Sequence, residues 1–162
     1  MKTILVAITM MIACQNTFAQ QVNELFDTFK SEQGADYMQI SPLMMKIACL
    51  FMGNDNAESR FVKGIKSAKV LDLEDCTEKV KENFKKEANQ LNLKGYETLF
   101  IAREDGETVK ILAKSDEKNI RELLIYTIDK ADCGAILMKG KIKKDDIAVM
   151  INEDKVMING RK

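Results

Sequence analysis

The chain has 162 residues in which 25 Lys and Arg balance 25 Asp and Glu, and it contains no histidine. The charge balance argues against nucleic acid or an anionic membrane surface as the main partner, since either favours a basic excess. The missing imidazole excludes Ser-His and Cys-His nucleophile pairs and any zinc site that needs histidine.

Lys2 precedes an apolar run from Ile4 to Ala13, and Thr17-Phe18-Ala19 follows. This is the pattern of a secretory signal peptide, and the run is too short to cross a bilayer as a permanent helix. Cleavage after Ala19 gives a periplasmic or secreted protein that starts at Gln20. A competing reading uses Cys14: Met11-Ile12-Ala13-Cys14 resembles a lipobox, and acylation of that thiol would give a membrane-anchored lipoprotein. A third keeps residues 1–19 as a buried helix. Loss of residues 1–19 leaves 24 basic and 25 acidic residues in a chain of about 143, enough for one domain with a real core. The expected organisation is a signal peptide over 1–19, one domain over 22–152 and a short tail over 153–162.

Val22, Leu25, Phe26 and Phe29 fall at i, i+3, i+4 and i+7, which predicts a helix that Gly34 ends. A short strand is expected over Asp36 to Ile40. Ser41-Pro42 then supplies an N-cap followed by proline at the first helical position, starting a helix that runs to Met52. Asn54-Asp55-Asn56 resembles the start of a calcium loop but lacks the glycine and the distant bidentate glutamate, so it reads as a helix boundary. Ala57, Phe61, Val62 and Ile65 predict a helix to Lys66, and a strand over Ala68 to Leu73 follows. Asp75 and Glu78 stand three apart as an acidic capping box for a surface helix bearing Val80, Phe84, Ala88 and Leu91.

From Tyr96 the period changes to two. Strands over Thr98 to Ala102 and Val109 to Ala113 flank Asp105-Gly106, a hairpin signal. Two more, over Ile120 to Ile128 and Ala135 to Ile142, meet around Asp132-Cys133-Gly134. Asp145 and Asp146 suit a helix start ahead of Ile147, Met150 and Ile151. The expected fold is α+β: a largely antiparallel sheet ending in a four-stranded meander, with helices packed on one face. Lys110 and Lys114 alternate with apolar neighbours, so the other face should be more polar. Leu112, Leu123 and Ile125 interrupt that pattern and mark either a partly covered second face or a surface that meets a partner.

No phosphate-binding loop, dinucleotide glycine fingerprint or Cys-x-x-Cys pair is present, so no cofactor is expected. Glu104-Asp105 and Asp145-Asp146 each have a local structural use, as turn and helix start, and are not an acid-base pair. Cys49, Cys76 and Cys133 remain after cleavage, with their pairing left open. Cys49, among apolar residues, reads as a buried inert thiol. Cys76 is the candidate reactive thiol because it would sit in the first turn of a helix, although Glu74, Asp75 and Glu78 oppose its ionisation. Cys133 reads as a turn residue with nothing to activate it.

The best candidate for a functional surface is the Pro42 to Met52 helix, where Leu43, Met44, Met45, Ile47, Phe51 and Met52 leave little that is polar. A helix apolar on all sides is buried on all sides, either inside its own domain or against a hydrophobic ligand or an envelope protein.

Leu25-Phe26 through Gly34, Tyr37, the Ile40-Ser41-Pro42-Leu43-Met44 segment, Ile65 to Leu73, Tyr96 to Lys114, and Lys139-Gly140-Lys141-Ile142 with Asp146-Ile147 carry a resemblance. Together they resemble a family of small secreted proteins of Bacteroidota-type Gram-negative bacteria, defined only as a domain of unknown function. The resemblance implies an envelope location and a non-enzymatic role of unknown detail. Relatives encoded beside extracytoplasmic-function sigma factors point to envelope signalling. It supplies no site residues.

Overall fold

The structure is a computed structural model and describes residues 17–51, 57–104, 107–129 and 133–147. Along the chain it forms α1 (Thr17–Phe29), β1 (Asp36–Ile40), α2 (Pro42–Phe51), α3 (Ala57–Gly64), β2 (Ile65–Asp72) and α4 (Glu78–Gln90). Strands β3 (Glu97–Glu104), β4 (Glu107–Ser115), β5 (Asn119–Ile128) and β6 (Cys133–Lys143) complete it. A further helical turn covers 144–147. Residues 1–16 of the signal segment with Cys14, the Asn54-Asp55-Asn56 loop, Asp105-Gly106, Asp132, Met150 and Ile151, and the tail lie outside the described residues.

All six strands join one antiparallel sheet in the order β1-β2-β6-β5-β4-β3. The meander occupies one side as the period-two pattern requires. The early strands β1 and β2 attach to its far edge through β6, which gives six strands in the sheet. The β4–β5 turn is closed by Asp116, whose carboxylate accepts from the backbone N–H of Asn119 at 2.8 Å and of Lys118 at 3.0 Å. Those two amides, with the Arg121 guanidinium as a lesser cause, pull its pKa down to about 2.

The expectation of helices on one face is corrected: both faces carry them. On the first, α1 and α4 cover a core of Val22, Phe26, Phe29, Phe84, Leu124 and Leu137. On the second, α2 and α3 cover Met45, Ile65, Ala113, Leu123 and Ile142. Successive strand residues point to opposite faces, so Leu123 and Leu124, adjacent in the chain, serve the two different cores. The lysine alternation does not make a polar face. Lys110 lies over the Tyr126 ring at 5.3 Å, on the side of the first core, where its stem covers apolar surface and its ammonium stays wet.

Two boundaries differ from expectation. Helix α1 ends at Phe29, and Gly34 instead turns the chain into β1 with φ +89°, a region where L side chains are strained. Helix α3 ends at Gly64 and β2 begins at once at Ile65, three residues earlier than the expected strand.

Candidate binding surface

Ser41 and Pro42 start α2 as their types require. The Ser41 carbonyl accepts from the Met45 N–H at 3.0 Å, and the Ser41 hydroxyl oxygen accepts from the Met44 N–H at 3.4 Å. The helix is not sandwiched in a core, which corrects the fully buried reading. Met45 is 7% exposed, whereas Leu43 is 67% and Leu50 81% exposed, with Met44 and Ile47 also open to solvent. Only the stripe through Met45 and Cys49 turns inward, because this helix of ten residues meets the sheet along one side. Met52 and the Phe51 side chain lie outside the described residues.

The inward stripe borders a groove of about 750 Å³ between α2 and the start of β2. Met45, Cys49, Leu50 and Ile65 supply its apolar wall, and Lys46, Lys63 and Lys66 its charged one. Cys49 is therefore half-buried in a groove wall and not a core thiol.

The register exposes a second apolar feature on the same sheet face. Met38 pairs with Val70, Val70 with Ile136, Ile136 with Ile125, Ile125 with Ile111 and Ile111 with Phe100. Directly paired residues share a face, so one apolar row crosses all six strands. Its two ends, Met38 and Phe100, are exposed, and the four residues between them are half-buried. Two residues further along the strands the equivalent row holds Ala68, Leu123 and Ala113, all buried in line with α2 and α3. The helices thus cover half of this face, which accounts for Leu123 and Ile125 as a partly covered second face, while Leu112, the third residue of that signal, enters the first core.

The candidate thiol sits elsewhere. Helix α4 begins at Glu78 with Thr77 as N-cap, so Cys76 precedes the helix and is not in its first turn; the Asp75 capping box does not form. Cys76 is buried, and its N–H donates to the Leu73 carbonyl at 3.0 Å. Burial, then the Glu32 carboxylate, push its pKa up, the reverse of what a redox thiol needs. Cys133 is the first residue of β6 and not a turn residue, with its Sγ 3.9 Å from the Lys81 carbonyl oxygen. Burial pushes its pKa up to about 11. At pH 8 only about one Cys133 in a thousand is ionised in the fold. Iodoacetamide at pH 8 is therefore expected to modify Cys49 about a hundredfold faster than Cys76 or Cys133, with all three equalised in denaturant. Peptide masses after timed quenching give the rates, and rapid native labelling of Cys76 would restore the thiol reading.

Two polar clusters escaped sequence reasoning. Glu122 accepts from the Tyr96 hydroxyl at 2.9 Å, with the Lys139 ammonium at 3.4 Å and that of Lys114 at 3.9 Å. Burial and this neighbouring carboxylate both push the Tyr96 phenol up. The cluster ties β4, β5 and β6 to the segment before β3, and its members are distant in sequence, so only the register reveals it. Asp146, 4% exposed, accepts from Arg60 Nε at 3.0 Å and fixes the 144–147 turn to α3. The Asp145-Asp146 pair is thus split, with Asp145 exposed. Among the described residues no group of three or more Cys, Asp or Glu is arranged to hold a metal ion.

A two-sided antiparallel sheet with an apolar helix left open on one face defines an α+β domain that presents hydrophobic surface. The chain belongs to the family described as Domain of unknown function (DUF4252), whose model matches residues 29–150. No curated protein and no solved structure matches it. Among the described residues no helix is long and apolar enough to cross a membrane.

Proposed function

We propose that this is an exported envelope protein that works by binding, with the outer side of α2 and the half-covered sheet row as its contact surface. One observation carries the reading: α2 buries Met45 and turns Leu43, Met44, Ile47 and Leu50 to water. Large apolar side chains gathered on one exposed helix mark a surface meant to be covered. Methionine suits such a surface because its unbranched, polarisable side chain adapts to the shape it meets. The signal-peptide pattern at residues 1–19 supports export.

The test places a photo-crosslinking amino acid at position 47 in the full chain, expressed in its own cells, with position 86 on exposed α4 as the control. Defined adducts from position 47 that position 86 does not give are the expected result. Equal adducts at both positions, or none at 47, would overturn the reading. Leu43→Ser and Leu50→Ser should abolish the adduct and shift stability by no more than about 0.5 kcal/mol, as exposed positions do.

A further inference from the structure

We infer that the groove between α2 and β2 takes a single-chain anionic amphiphile, a fatty-acyl carboxylate or a molecule of the same design. This rests on the binding reading above and names the class of ligand. The size of the groove, about 750 Å³, falls in the range of sites that enclose small molecules. One wall, Met45, Cys49, Leu50 and Ile65, has no charge and offers an acyl chain contact with sulfur and methyl groups.

Among the described residues the charges that line it have one sign: Lys46, Lys63 and Lys66 border the groove with no acidic residue beside them, and Lys46 and Lys66 make no ion pair. An anionic head meets the Lys46 and Lys66 ammoniums while the chain lies on the apolar wall, whereas a neutral ligand gains nothing from them and a cationic one is repelled. A flat bilayer fits less well, because the whole chain carries no basic excess to hold it on an anionic surface.

The test uses the full chain carrying ¹³C-methyl methionine, titrated with decanoate, decan-1-ol and decyltrimethylammonium as monomers. Decanoate is expected to shift the Met45 methyl signal and to bind at least about tenfold more tightly than the other two. Lys46→Glu with Lys66→Glu should weaken decanoate about tenfold, leave decanol unchanged, and abolish most of the salt dependence between about 0.05 and 0.5 M. Each methylene removed from the chain should cost about two- to fourfold.

Equal affinity for all three probes would overturn the inference. So would a Met45 signal that no probe moves, or binding seen only with phosphatidylglycerol vesicles. The position 47 crosslink separates the two failures. A defined protein adduct there with no amphiphile bound keeps the contact surface and removes its ligand class, whereas loss of both removes the binding reading itself.

Discussion

Phe84→Ala is expected to destabilise the domain by about 3–5 kcal/mol, enough to unfold a large share of the molecules at 37 °C. Phe84 is fully buried where α4 meets α1, its ring edge-on to Phe29 with centroids 5.4 Å apart and planes at 79°. Truncation removes that aromatic contact and leaves a cavity between two helices whose other contacts hold them in place, so collapse recovers little. The chain has no tryptophan, so the measurement is urea denaturation followed by circular dichroism. Loss under about 1 kcal/mol would show that α4 is a detachable flap and not a wall of the first core.

Gly140→Ala is expected to cost about 3 kcal/mol for a single added methyl. A Cβ at Gly140 would collide with the Gly64 carbonyl oxygen and stand 3.0 Å from the Ile65 Cα. Both are backbone atoms, so no flexible side chain can give way. The junction from α3 into β2 would have to lift off β6, next to the bulge between Ile65 and Ser67. The thermal midpoint should fall by about 6–12 °C, while the exposed neighbour Lys141→Ala stays within about 2 °C. Equal shifts for the two variants would show that this close approach carries no energy.

The elements legible in the sequence were those whose apolar period has a single interpretation. Val22, Leu25, Phe26 and Phe29 form one helical stripe and all four are buried. The alternation in β4, with the turn signals at Asp105-Gly106 and Asp132-Cys133-Gly134, placed the meander. The covering of the second face was not legible, because Leu112 and Ala113, or Leu123 and Leu124, look alike in sequence and differ only in the core they enter. Apolar residues all round α2 read as burial on all sides. Their exposure depends on how little protein lies above that helix, which no local pattern records. The apolar row from Met38 to Phe100 draws one residue from each of six strands, spread over nearly a hundred positions from Met38 to Ile136, and the Glu122 cluster is scattered in the same way. Both follow from register, and register includes three bulges in the meander that composition does not announce. Cys76 misled for a local reason: its helix starts two residues later than its acidic neighbours suggest.

The strand order sets a timetable for folding. Among the described residues β6 is the last strand and the only one that joins β2 to the meander. Strands β3, β4 and β5 can pair with neighbours close in sequence, but β2 must wait for partners about seventy residues downstream, such as Gly140 for Ile65. A chain halted before residue 133 holds two separate sheet fragments and exposes both apolar faces of each. The domain therefore closes in one late step, when its final strand slides between two halves that have no other strand contact.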